Sequence, residues 1–136
     1  ARFFKNCYEW LLPRGYMAIH LVNRNKFDPI IEAGNPLHLV SPQRYAKKRI
    51  TNSVVKFNNF DYKSNFKLND DKAVFDEYFK DKKTQKVRHN KHQLFMETQK
   101  QILSLARQAG FILKGKIDMI GCQYEYQYIY ILTKPN

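Results

Sequence analysis

The sequence predicts an α/β chain carrying an antiparallel β insertion. Three stretches carry that expectation. Residues 2–22 read as an amphipathic helix, a Pro/Gly turn and an apolar strand. Residues 53–97 alternate aromatic and lysine-rich positions, and residues 98–134 read as a capped helix followed by two strands.

Phe4, Cys7, Tyr8 and Leu11 recur at helical spacing with Phe3 and Trp10 flanking that stripe, so residues 2–12 are expected to form an amphipathic helix. Pro13 and Gly15 then end it, because proline cannot continue a helix and glycine supplies a left-handed turn. Tyr16 to Val22 is a nearly unbroken apolar, β-prone run, the pattern of a strand covered on both faces. A helix, a turn of about three residues and a buried strand make the second half of a βαβ unit. A parallel sheet needs earlier strands, which are expected outside this chain.

Residues 23–29 and Ala33-Gly34-Asn35-Pro36 are loop by composition. A loop leaving the carboxyl end of a parallel strand lies where α/β proteins place ligands, which makes His20, Asn23 and Arg24 candidates for substrate binding. The plainer readings are a packed strand histidine and ordinary turn chemistry. Ser41-Pro42 is positioned to start a short helix over 43–49.

From Ser53 the period changes to two. Val55, Phe57, Tyr62, Ser64, Phe66 and Leu68 alternate with polar residues in a first exposed strand. Asn69-Asp70-Asp71-Lys72 turns, Ala73, Phe75, Glu77 and Phe79 mark a returning strand, and 87–96 makes a third. The insertion is expected to be polar on one side and aromatic on the other. Thr98-Gln99-Lys100-Gln101 is then a capping box, Ile102, Leu105, Ala106 and Ala109 the buried face of a helix, and Gly110 its left-handed end. Residues 111–120 and 127–132 are the last strands, antiparallel because their connection is too short for a parallel crossover.

At 136 residues, 43% hydrophobic and 15% aromatic, the chain is expected to fold as one domain, with 53–97 an insertion within it. The 24 basic residues against 12 acidic ones, a formal charge of +12, favour anionic partners such as nucleic acid or phosphate-bearing substrates. No apolar run reaches membrane-spanning length. Cys7 and Cys122 sit in apolar sequence without metal-ligand spacing, so both are expected to be reduced and buried, in a cytoplasmic protein.

This succession of elements resembles the C-terminal half of a class I, Rossmann-like S-adenosylmethionine-dependent methyltransferase. In that family a helix carrying W-L-x-P-G-G leads into the fifth strand. Trp10-Leu11-Leu12-Pro13-Arg14-Gly15 and the strand from Tyr16 match it, with Arg14 replacing the first glycine. The A-G-F step before the family's sixth strand is matched by Ala109-Gly110-Phe111, and an antiparallel seventh strand inserted into the sheet would be 127–132. The 53–97 region falls where many members carry a substrate-side insertion. The family's glycine-rich cofactor loop and the acidic residue after its second strand do not occur here. The resemblance therefore implies that S-adenosylmethionine serves the complete enzyme, that this chain alone binds none tightly, and that catalysis needs the missing N-terminal half or a second chain.

Among acceptor-side candidates, Tyr62, Glu77, His89 and His92 on the insertion join His20, Asn23 and Arg24. His89 and His92, three apart on a strand, face opposite sides, so a joint metal site is not expected. Glu77 points inward among Ala73, Phe75 and Phe79, where a half-buried carboxylate can be raised toward basic function. Its plainer reading is a cross-strand salt bridge to lysine or arginine. Tyr124, Tyr126, Tyr128 and Tyr130 alternate along one strand face. Two rival readings come from other classes. One is a basic β-rich module that binds nucleic acid through Lys63, Lys67, Lys82, Lys83, Lys86, Arg88 and Lys91. The other is a non-catalytic dimerisation domain that forms a homo-oligomer through its exposed sheet edge.

Overall fold

A computed structural model describes residues 1–30 and 42–136. Ala33 to Pro36 and Ser41, read above as loop and helix start, lie outside the described residues. The fold is mixed α/β and divides into two units, one of residues 1–27 and 97–136, the other of residues 28–96.

In the first unit, helix α1 (Arg2–Trp10) leads to strand β1 (Tyr16–Val22). The Leu11 N–H closes on the Cys7 carbonyl, and the turn that follows corrects the sequence expectation. The left-handed residue is Arg14, with φ of 67°, and Gly15 is not left-handed. Gly15 answers a different need, since a Cβ there would lie 2.8 Å from the Leu12 carbonyl oxygen. Only a residue with no side chain tolerates that approach.

Helix α2 (Gln99–Gln108) carries the expected capping box, with Thr98 and Gln101 each bonding the other's backbone N–H. Ala109 caps its end, and Gly110 follows at φ of 108°, packed against the Tyr8 ring. Strand β6 (Ile112–Asp118), a short 3-10 turn over Met119–Cys122 and strand β7 (Gln127–Thr133) complete the unit. The sheet order is β1-β7-β6, with β7 antiparallel to both neighbours, so the last strand is inserted between the other two.

Both helices cover one face of this sheet. Phe4 of α1, Ala106 of α2, Phe111 and Leu132 of β7 form the buried centre, and Cys7, Tyr8, Leu11, Met17, Ile19, Ile102 and Leu105 pack against it. Edge-to-face contacts of Phe111 with Phe4 and Tyr8, at 6.4 and 5.3 Å between centroids, lock α1 onto the strand that follows α2. The opposite face is bare. Tyr16 is 64% exposed, Ile112 49% and Ile117 53%, with Ala18 and His20 also exposed. The expectation that β1 is covered on both faces is therefore corrected, because within this chain both helices lie on one side. Cys122 is likewise exposed and Cys7 half-buried, though both thiols are free.

The second unit is a four-stranded antiparallel sheet in the order β2-β3-β4-β5, comprising β2 (Asn52–Lys56), β3 (Phe60–Asn69), β4 (Lys72–Asp81) and β5 (Val87–Phe95). What the sequence presents as one strand from 53 to 68 is a hairpin. The Phe57 N–H returns to the Phe60 carbonyl around Asn58-Asn59, and the Phe57 and Phe60 rings stack at 4.6 Å. Asp81 shapes the β4–β5 turn by accepting from the Lys83 and Thr84 N–H groups and the Thr84 hydroxyl. The short helix expected over 43–49 is a single 3-10 turn, Pro42–Tyr45, after which the Gln43 side chain brackets the Ile50 backbone. Tyr62, Phe66 and Ala73 are buried on one face with Ser64 among them, and the other face carries the lysines with Val54, Val74, Tyr78, Val87 and Phe95 between them. That division follows the period-two pattern.

Candidate functional site

Three of the residues singled out from sequence meet on the buried face of the second unit. Antiparallel register sets Ser64 of β3 opposite Glu77 of β4, and Glu77 opposite Asn90 of β5. Tyr62 and His92 each lie one same-face step from those partners, so both reach Glu77 diagonally, a separation long side chains span. The Tyr62 hydroxyl donates to Glu77 Oε1 at 2.8 Å, and His92 Nε2 lies 3.2 Å from Glu77 Oε2. Each carboxylate oxygen thus has its own partner.

The surroundings grade from dry to wet along this line. Tyr62 is 7% exposed, the Glu77 side chain 13% and the His92 side chain 53%. Phe79 packs on Tyr62 at 5.1 Å, Phe75 lies 6.1 Å from the His92 ring, and the Arg88 guanidinium sits 4.6 Å over Phe79. Burial, together with the bond to Glu77, pushes the Tyr62 phenol up to about 12, so it serves as a neutral donor. A carboxylate accepts only, so Nε2–H donates in the His92 contact and Nδ1 carries the lone pair of the neutral ring. Nδ1 has no partner among the described residues. The result is an imidazole oriented by a carboxylate that a buried phenol holds in place.

The remaining candidates do not join it. His89 faces the other side of the sheet, as its spacing from His92 required, with Nε2 2.7 Å from Asp76 Oδ1 and its ring stacked on Tyr78 at 4.3 Å. His20 is an exposed strand residue whose Nε2 lies 2.9 Å from Gln127 Oε1. Asn23 performs turn chemistry, its side chain accepting from the Asn25 N–H and its backbone N–H donating to the Tyr126 carbonyl. Arg24 is half-buried in the same turn. The expected cross-strand partner of Glu77, a lysine or arginine, is replaced by His92 and Tyr62. Asp76, which sequence reasoning passed over, is recognisable only once the register sets Tyr78 opposite His89. The tyrosine ladder is shorter than expected. Tyr124 and Tyr126 belong to the turn before β7, while Tyr128 and Tyr130 share the strand face, where Lys116 Nζ lies 4.0 and 5.8 Å from their rings.

A nucleoside cofactor needs backbone N–H groups presented by a glycine-rich strand-to-helix turn. The described residues do not fit that need. Thr98 and Gln101 already fill the amino end of α2. Gly15 and Gly110 press on Leu12 and Tyr8 of the same chain, and Gly115 and Gly121 have nothing within 4 Å. No group of three or more potential metal ligands occurs among the described residues, nor any helix long and apolar enough to cross a membrane.

No protein-family model matches the chain, and no curated protein matches it. Solved structures do. A S-adenosylmethionine-dependent methyltransferase from Clostridium acetobutylicum ATCC 824 aligns over 99% of this chain with a TM-score of 0.67 at 12% identity. The methyltransferase CcbJ from Streptomyces caelestis aligns over 98% with a TM-score of 0.66 at 10% identity. CalS10, an amino pentose methyltransferase from Micromonospora echinaspora solved with S-adenosylmethionine bound, aligns over 96% with a TM-score of 0.57 at 12% identity. The chain spans only about half the length of each, covering 50%, 49% and 48% of them. At such identities the likeness is one of fold, and the chain has the fold of part of a methyltransferase.

Proposed function

We propose that this chain is the C-terminal half of a Rossmann-like S-adenosylmethionine-dependent methyltransferase and that its β2–β5 sheet handles the methyl acceptor. The observation that carries this reading is the near-complete alignment of the chain with half of each of three methyltransferases. The β1-β7-β6 order with its inserted antiparallel strand supports it, as do the two sequence words around Pro13 and Gly110. Because these residues form no nucleoside cradle, the complementary half supplies the cofactor site. The bare face of β1, β7 and β6 and the outer edge of β1, unpaired among the described residues, are where that half docks. In its absence the same surface drives self-association.

On the acceptor side the working group is His92. A hydroxyl or amine hydrogen-bonded to Nδ1 gives its proton to the ring, while Glu77, held by Tyr62, stabilises the imidazolium that forms. Tyr62 and Glu77 act through His92 as positioning residues. Placement of this kind contributes much of the rate in group transfer.

Calorimetric titration with S-adenosylhomocysteine tests the division of labour. The chain alone is expected to show no saturable heat, and the chain joined to the residues encoded upstream is expected to bind. Binding by the chain alone contradicts the division, and failure of the joined polypeptide to bind contradicts the methyltransferase reading.

A further inference from the structure

The face of the second sheet opposite Glu77 carries a regular ladder of cations. Register places one lysine in each of five successive rows of that face: Lys80, Lys63, Lys91, Lys67 and Lys72. Rows on one face recur about every 7 Å along the strands, and the lysines step through them while crossing among β3, β4 and β5, so positive charge runs the length of the face. All five side chains are exposed, and Lys56 of β2 joins them in the first row. The two carboxylates of the face are already engaged, Asp76 with His89 at 2.7 Å and Asp61 with Lys82 at 3.5 Å. In the second row of the ladder, with Lys63, the Tyr78 and His89 rings stack with centroids 4.3 Å apart and planes 6° from parallel. Phe95, 77% exposed, closes one end.

We propose that this face binds single-stranded nucleic acid. A lysine in every row of the face presents positive charge along its whole length to a polyanion, and lysine supplies point-charge phosphate contacts without base readout. The aromatic component separates nucleic acid from other polyanions, because the exposed His89 ring, backed by the half-buried Tyr78 ring, offers bases a stacking surface. The open, four-stranded geometry favours a single strand over a duplex, whose major groove admits a helix or a two-stranded ribbon. Four-stranded sheets with exposed aromatics serve RNA-recognition modules in the same way. Of the basic residues proposed from sequence for this role, Lys63, Lys67 and Lys91 lie on the ladder. Arg88 lies on the opposite face, and Lys82, Lys83 and Lys86 belong to the β4–β5 turn. The inference stands independently of the methyltransferase reading.

The test is fluorescence anisotropy of a labelled oligouridylate of about a dozen nucleotides, a length within one binding face. The full chain is titrated between about 50 and 200 mM salt. Saturable binding is expected, weakening linearly in log–log form with salt. The combined Lys63→Gln, Lys67→Gln, Lys80→Gln and Lys91→Gln variant is expected to bind at least about tenfold more weakly, with a salt slope shallower by about 3, from roughly 0.7 per phosphate contact. A charge-matched control in the other unit, with Arg2, Lys5, Lys100 and Lys114 changed to Gln, is expected to keep the wild-type slope. Tyr78→Leu is expected to weaken the oligonucleotide but not heparin, with His89→Gln in its place if that variant does not fold. Absence of saturable binding overturns the proposal, as does a ladder variant that behaves like the control. Equal effects of the ring substitution on heparin and oligonucleotide also overturn it, since they leave only a general anion surface.

Discussion

At Arg14 and Gly15 two backbone demands sit side by side, and the sequence meets only one of them with glycine. Arg14 takes the left-handed conformation itself, at φ of 67°, with its N–H bonded to the Lys134 carbonyl and its Nε to Asn136. Gly15 has no such angle but abuts the Leu12 carbonyl oxygen. Gly15→Ala is therefore expected to destabilise the first unit by about 1–3 kcal/mol, the range for forced overpacking, measured by urea denaturation. The sequence signalled that a turn was needed here but not which residue would carry the strained angle. Tyr62 makes a second residue-scale claim. Its phenol ionises at 10.0 when exposed and only at about 12 in the fold, so the folded-state value is the raised one. The stability it contributes is complete below pH 10 and is lost as pH rises toward 12. The difference in urea midpoint between wild type and Tyr62→Phe is expected to be constant below that window and to shrink through it.

Secondary elements were legible where local chemistry alone decides them. The α2 capping box is one case, readable from Thr98 and Gln101 and realised in full. Thr98→Ala is expected to cost about 1 kcal/mol, recovered largely by Thr98→Ser, in thermal or urea unfolding. The helices and the period-two strands of the insertion emerged the same way. What failed to emerge depended on pairing. Asn58-Asn59 is a turn signal by composition, and the alternation shifts phase across it, from Val55 and Phe57 at odd positions to Tyr62 and Ser64 at even ones, a break lost when 53–68 is taken as one period-two run. Register is the deeper loss. Tyr62, Glu77 and His92 were each nameable from sequence, but their meeting depends on turns that set Ser64 against Glu77 and Glu77 against Asn90. A shift of one residue would turn Glu77 to the lysine face.

For the molecule as a whole, the informative feature is a sheet finished on one side only. Phe4, Ala106, Phe111 and Leu132 close one face of β1-β7-β6, while Tyr16, Ile112 and Ile117 stand exposed on the other. The apolar run of Tyr16–Val22 had announced a strand buried twice over. Within this chain that second burial is unmet, and under the proposed function the complementary half provides it. Exposed apolar faces of this kind mark interaction surfaces, and an open strand edge adds unpaired backbone groups to them. The direct measurement is sedimentation equilibrium of the chain alone across a range of concentrations, for the wild type and for Ile117→Lys. Reversible self-association that the lysine weakens is the predicted result, because the bare face is then the contact. A wild-type chain that stays strictly monomeric at high concentration, stable and cooperative in unfolding, would contradict the view that it is half of a larger fold.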